Sequence, residues 1–427
     1  GLKTYPSLLD VPDSVDHVII GIPAKVSPEV VEDAVKKGVR SIHLFTSGFS
    51  EVGTEEGTAL QKKIVEIAKG KVRIIGPNCM GIYYPGMRIA FDGSQPPQSG
   101  GAGFVSQSGG MANYFSKHAV REGNFCSKVI SIGNSSDLRL TDFLEYLSED
   151  EETTTISMYI EGLGEGEGRK LLEILEGTTK RKPILIWKGG QTDQGAKTAF
   201  SHTGAMSSGY LLWETIARQF GVILVDSIEE MHDFIKLYRL VRPPEGTRCC
   251  IVTFGGGNSV AYADICSKMG IQLPDLNKQT QEDLLAFIPA VGTIRRNPVD
   301  VSVGGWETRV IENTLRTAGS DPNIESIVFI TQIGFLHRMS YRFGMEPEKM
   351  LDNQIKEIVS AGRKLKIPLV CNNPQTFEDQ MAEAWRLQMK KQLEEKQVPT
   401  IPTVERTSKA LERYHQYNCF LKRNKEC

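Results

Sequence analysis

Along most of the chain, short apolar runs bounded by turn residues alternate with stretches whose apolar positions recur every three or four residues. The first run, Asp16-His-Val-Ile-Ile-Gly-Ile22, predicts a strand buried on both faces. Ser27-Pro28-Glu29 then marks a helix start: a capping Ser, a Pro at the first helical position and an acid favoured by the helix dipole. Val30, Val31, Ala34 and Val35 form the apolar stripe of that helix, and Gly38 ends it. A strand over Ser41–Thr46, a helix over about Thr54–Ala68 and a strand over Val72–Ile75 follow. Such β-α-β alternation predicts a parallel sheet whose ligands bind at the carboxyl ends of its strands. The turns Pro23-Ala24-Lys25, Ser47-Gly48-Phe49 and Pro77-Asn78-Cys79 therefore fall on one rim, although each is also explained by turn chemistry alone.

The stretch SQPPQSGGAG, Ser94 to Gly103, interrupts this pattern as a linker. Beyond it come a strand at Gly103–Ser106, a small-residue turn Gln107-Ser108-Gly109-Gly110 and a helix to about Glu122. Strands at Lys128–Ile132, Thr155–Ile160 and Pro183–Trp187, with helices from Thr141 and about Gly168, continue a parallel reading. A helical pattern over Tyr210–Phe220 closes the segment. A hinge, Arg242-Pro-Pro-Glu-Gly246, opens a third segment. It has strands at Arg248–Phe254, Ser326–Thr331 and Pro368–Cys371, and helices running from Gly255-Gly-Gly-Asn258 to Lys268 and from Glu348 and Glu378. A last helix over Leu411–Leu421 ends in basic residues, most simply a solvated helix end. The two linkers divide 427 residues into domains at 1–98, 99–241 and 246–427, each large enough for its own core.

Composition adds exclusions. With 40% hydrophobic and 24% charged residues and a formal charge of −2, nothing calls for nucleic acid or an anionic membrane as partner. No run approaches the roughly 18 apolar residues of a membrane span, and the opening GLKTYPSLLD lacks the features of a secretory signal, so a soluble, cytoplasmic protein is expected. The eight cysteines (Cys79, Cys126, Cys249, Cys250, Cys266, Cys371, Cys419 and Cys427) show no paired CxxC spacing. Reduced thiols are expected, with neither a disulfide framework nor a metal site.

Candidate chemistry concentrates between Trp187 and Gly209, WKGGQTDQGAKTAFSHTGAMSSG. His202 lies in a loop of small residues, where Gly195, Gly204 and Gly209 give the backbone freedom to approach a ligand. An imidazole accepts and hands on a phosphoryl group or a proton near neutral pH; a lone loop His is also simply solvated or hydrogen-bonded. Glu161 ends a neighbouring strand, as either a working carboxylate or a solvated acid. Ser108, Gly109 and Gly110 open a helix whose free N–H groups form an anion site, a weak signal alone. The Gly255–Gly257 turn lacks full dinucleotide spacing, so close packing explains it as well as phosphate does.

Seven motifs in order then carry a resemblance: Gly76-Pro-Asn-Cys-Met-Gly81, Phe104-Val-Ser-Gln-Ser-Gly109, Ser131-Ile-Gly-Asn134, Tyr159-Ile-Glu-Gly162, Ser201-His-Thr-Gly204, the Gly255 turn and Asn297-Pro-Val-Asp300. Together they resemble the nucleoside-diphosphate-forming acyl-CoA synthetases, specifically the α subunit of ADP-forming acetate–CoA ligase, with succinyl-CoA synthetase α more distant. The resemblance implies three doubly wound α/β domains: a Rossmann-like CoA-binding domain and two flavodoxin-like ones. It implies that His202 is the phosphorylated histidine, that Glu161 orients its ring, and that Ser108, Gly109 and Gly110 cradle phosphate. Pro23, Ala24, Lys25, Ser47, Gly48, Phe49, Asn78 and Cys79 would border CoA, with Asn78 and Cys79 near its thiol end. Acyl-CoA and phosphate would be bound here, ATP or ADP with Mg on an ATP-grasp β subunit, in a hetero-oligomer or a homodimer of this chain.

Two departures accompany it. The opening glycine-rich β-α unit of the CoA domain is missing, which predicts weakened CoA binding, and Gly257-Asn258 stands where relatives often have Gly-Pro. The alternative is a non-catalytic acyl-CoA-binding or regulatory paralogue.

Overall fold

The computed structural model describes residues 3–192, 194–195, 209–289, 291–302, 309–342, 344, 346–376 and 380–425. It contains three sheets and divides into two compact units, Gly1–His232 and Asp233–Cys427, the first holding two of the sheets.

The first sheet is parallel, in the order β1 (His17–Ile20), β2 (Ser41–Leu44), β3 (Arg73–Ile75). Helices α1 (Ser27–Lys37) and α2 (Glu55–Ala68) pack together and bury Val31, Ala34, Ile64 and Ala68 with Ile42, Leu44 and Ile74. Gly38 ends α1 with φ 77°, a conformation that a side chain would strain. Ser27 is the first residue of α1 rather than its cap, because a 3-10 turn over Ala24–Val26 runs straight into the helix.

The second sheet has six strands in the order β4 (Gly81–Tyr83), β6 (Cys126–Ser131), β5 (Ala102–Ser106), β7 (Thr155–Ile160), β8 (Ile184–Lys188), β9 (Ile223–Leu224). All neighbours are parallel except β4, which runs antiparallel to β6 and had no counterpart in the sequence pattern. Helices α3 (Gly109–Arg121), α4 (Leu140–Glu149), α5 (Glu167–Thr178) and α6 (Tyr210–Phe220) complete this part, and α7 (Ile228–Leu240) begins in the first unit and ends in the second. The core contains Leu144, Leu147, Leu171, Leu175 and Trp213 against Val105, Ile130, Met158 and Ile186.

The third sheet is also parallel, ordered β11 (Val299–Asp300), β10 (Cys249–Thr253), β12 (Ser326–Ile330), β13 (Leu369–Asn372), β14 (Thr400–Ile401). Its helices are α8 (Gly256–Lys268), α9 (Lys278–Leu284), α10 (Val310–Gly319), α11 (Ile333–Arg342), α12 (Pro347–Lys364), α13 (Gln380–Glu395) and α14 (Val404–Arg423). The last begins well before the expected Leu411, at a cap where the Thr403 hydroxyl accepts from Arg406 N–H at 3.2 Å. Among the described residues no helix is long and apolar enough to cross a membrane.

Candidate functional site

Adjacent parallel strands bring two of the predicted groups to one rim. Ser106 at the end of β5 pairs in register with Tyr159 of β7, so the turn that opens α3 lies beside Glu161. Ser106 shapes that turn: its hydroxyl donates to Ser108 O at 2.7 Å and accepts from Ser108 N–H at 3.0 Å. Ser108 is the N-cap of α3, its side chain accepting from Met111 N–H. The cap satisfies one orphan donor and leaves the Gly109 and Gly110 amides at the positive end of a thirteen-residue helix.

Gln107 ties this turn to the next strand end. Its Oε1 accepts from Glu161 N–H at 2.5 Å and Gly162 N–H at 3.1 Å, and its Nε2 donates to Gly162 O at 2.8 Å. Gln107 stands inside the Phe104–Gly109 motif, but the sequence gives its side chain no role, because an amide between two turns has no chemistry of its own.

Glu161 is 7% exposed. Below it, Lys188 at the end of β8 is 1% exposed and donates from Nζ to Glu161 O at 2.8 Å and to the Gly189 carbonyl. Burial holds the Lys188 ammonium below its ordinary pKa, opposed by the Glu161 charge. The Tyr159 hydroxyl is pushed up to about 12, by burial first and then by the Glu161 carboxylate to which it hydrogen-bonds. Gly189 lies close against both: a Cβ there would sit 2.9 Å from Tyr159 Oη and 3.5 Å from Glu161 Cγ, so a larger residue must displace the tyrosine hydroxyl. Ser201, His202, Thr203 and Gly204 lie outside the described residues.

The three turns of the first sheet adjoin one another. A Cβ on Gly48 (φ 106°) would meet Ala24 Cβ at 3.2 Å, and Asn78 N–H donates to Thr46 O at 2.9 Å. Pro23 precedes the 3-10 turn, and Lys25 makes an exposed 2.9 Å ion pair with Glu56. Glu51 organises the middle turn by accepting from Gly48 N–H at 2.6 Å, Phe49 N–H at 3.2 Å and Asn134 Nδ2 at 2.5 Å. Burial raises the Glu51 carboxyl, but those hydrogen bonds win and hold it below the usual range. Asn78, at φ 57°, reaches Asn134 Oδ1 at 3.5 Å. Two predicted members turn inward: Phe49 is fully buried among the first core, and Cys79 is buried with its Sγ toward Leu44 O. Their backbones belong to the rim, but their side chains serve packing.

The glycine turn of the third sheet is tied internally at its first residue. Gly255 N–H donates to Asp300 Oδ1 at 2.9 Å and Ser302 Oγ at 2.6 Å, which explains Asp300 of the Asn297-Pro-Val-Asp motif as a packing partner of that turn.

Family models match three stretches: a CoA binding domain over 1–85, a succinyl-CoA ligase like flavodoxin domain over 99–238 and a Ligase-CoA domain over 249–364. The α subunit of ADP-forming acetate–CoA ligase I from Pyrococcus furiosus is 32% identical over 427 residues, covering 99% of this chain and 87% of its own length. The corresponding α subunit II of that organism is 34% identical over 332 residues, 77% of this chain and 71% of its own. Against the ADP-forming acetate–CoA ligase I of Archaeoglobus fulgidus, 35% identical over 332 residues, this chain spans only 47% of the relative's length. The solved dinucleotide forming acetyl-coenzyme A synthetase 1 of Ca. Korarchaeum cryptofilum, in complex with phosphate and ADP, superposes with a TM-score of 0.79 at 28% identity, covering 99% of this chain and 88% of that one.

Three α/β sheets carrying these modules define an NDP-forming acid–thiol ligase. Within that class, the chain belongs to the family of ADP-forming acetate–CoA ligase α subunits.

Proposed function

We propose that this chain works as the α subunit of an ADP-forming acyl-CoA synthetase, interconverting acyl-CoA, ADP and phosphate with carboxylic acid, CoA and ATP. The rim at Pro23–Lys25, Ser47–Phe49 and Asn78–Cys79 holds CoA. Phosphate rests on the amides at the start of α3, where the helix dipole and unpaired N–H groups favour an anion. A phosphate oxygen attacks the thioester carbon; the C–O bond forms as C–S breaks, giving acyl phosphate and a CoA thiolate that takes a proton. The His202 imidazole then attacks phosphorus, the N–P bond forms as P–O breaks, and the carboxylate leaves. Glu161 steadies the imidazole in the orientation and charge state that transfer requires. An ATP-grasp partner, holding ADP with Mg, takes the phosphoryl group to give ATP. Phosphohistidine is a high-energy phosphoramidate, so this last transfer conserves the free energy of the thioester.

The observation that carries this reading is the meeting of the Ser108–Gly110 helix start and buried Glu161 on one rim, bridged by Gln107. The names of the relatives and the phosphate and ADP of the Korarchaeum complex agree with it. The test is acid-labile, base-stable phosphate incorporation from acyl-CoA and phosphate, or from ATP with the partner. His202→Asn abolishes label, and Glu161→Gln slows it on the order of 10²–10³-fold, as removal of a preorganised catalytic contact does. Undiminished label in His202→Asn moves the carrier elsewhere. An unlabelled wild-type complex favours a regulatory acyl-CoA-binding paralogue.

A further inference from the structure

The loop assigned to the thiol end of CoA and the helix start assigned to phosphate touch through one side chain. A Cβ built on Gly109 would lie 2.8 Å from Met80 Cγ and 3.3 Å from Met80 Sδ, with Ser131 Oγ at 3.6 Å. The backbone N–H of Met80 donates to that same Ser131 hydroxyl at 3.1 Å. Burial alternates along the loop: Cys79 is in the core, while Asn78 and Met80 on either side are half-buried. The loop is clamped from both ends. A Cβ on Gly81 (φ 78°) would strike the His43 ring at 2.3 Å, and one on Gly133 would strike the Pro77 and Asn78 carbonyl oxygens at 2.2 and 2.4 Å. Met80 is thus held against the start of α3 by backbone packing on both sides.

We propose that Met80 forms the wall of the acyl pocket and limits the acyl group to short aliphatic chains. This assignment rests on the proposed function above. When phosphate attacks, the carbonyl carbon lies between the CoA sulfur and the attacking oxygen. It therefore lies between the Asn78–Met80 loop and the Gly109–Gly110 amides, with its substituent facing whatever side chain occupies that junction. The thioether of Met80 occupies it. With Gly109 at its back and the loop fixed at Gly81 and Gly133, the thioether narrows the space on this side of the substituent, which favours a methyl or ethyl group over a longer chain.

The test uses the chain with its ATP-grasp partner and compares the rates of His202 labelling by radioactive phosphate with acetyl-CoA and with butyryl-CoA. In an apolar pocket one methylene changes kcat/KM by roughly 10–200-fold, so Met80→Ala is expected to raise the butyryl-to-acetyl ratio at least about tenfold. Met80→Leu, nearly equal in volume, is expected to keep the ratio. Labelled wild type with an unchanged ratio in Met80→Ala overturns the pocket assignment and leaves the phosphohistidine reading standing. An unlabelled wild type overturns both. Should Met80→Ala fail to fold, Met80→Phe decides, since a larger wall must lower the ratio and an unchanged ratio there rejects the assignment.

Discussion

Cys79 occupies the position of a thiol that would meet CoA, and its surroundings remove it from chemistry. Its Sγ donates to Leu44 O at 3.6 Å, and burial pushes the thiol up to about 12. Since the thiolate is the reactive form, Cys79 is expected to stay unmodified by iodoacetamide at pH 8 in the folded protein. Cys419, half-exposed where the other described cysteines are buried, should react first among the described cysteines; peptide mapping that finds Cys79 alkylated as fast would contradict this. Gly133 is fixed just as narrowly, by its φ of 53° and by carbonyl oxygens that cannot move aside. Gly133→Ala combines left-handed strain with overpacking and should cost about 3 kcal/mol or more. A denaturant midpoint close to that of wild type would show that the loops can separate.

At the scale of elements, the β-α-β succession was legible because buried parallel strands are unbroken apolar runs and their helices carry stripes. Some of the elements it missed lack period, although α10, with Val310, Ile311, Thr314, Leu315 and Ala318 buried at helical spacing, does not and was there to be read. β9, β11 and β14 are two residues each, and the early turns of α14 place Glu405, Arg406 and Lys409 among Val404, Thr407 and Ser408, too polar for a stripe. The cap was nonetheless written in Thr403, and Thr403→Ala should destabilise by about 1 kcal/mol, read from thermal or denaturant unfolding. An unchanged midpoint would mean that packing of Leu411, Tyr414 and Tyr417 alone holds the helix. The candidate site divides the same way. Glu161 and Ser108–Gly110 stood out as an acid and a glycine-opened helix start at strand ends, whereas Gln107 and Met80 matter through contacts that only the folded chain creates.

For the whole molecule, the proposed chemistry splits between two chains: acid release belongs to this one and ATP formation to its partner. The chain alone should therefore release CoA from acyl-CoA and phosphate once per His202 and stop, and an added ATP-grasp partner with Mg and ADP should restore turnover. Steady ATP synthesis by the single chain would refute that division. How fast such a complex runs also depends on a spacing set far more simply. The three hydrogen bonds of Gln107 act as a gauge block between the turn that receives phosphate and the strand end that carries Glu161. Asn at this position is one methylene shorter, and a misplacement of about 1 Å in a reacting geometry costs on the order of 10²-fold in rate. Gln107→Asn should thus slow phosphorylation while leaving CoA affinity by calorimetry unchanged. The calibration of the site is held by a residue to which the proposed reaction gives no bond to make or break.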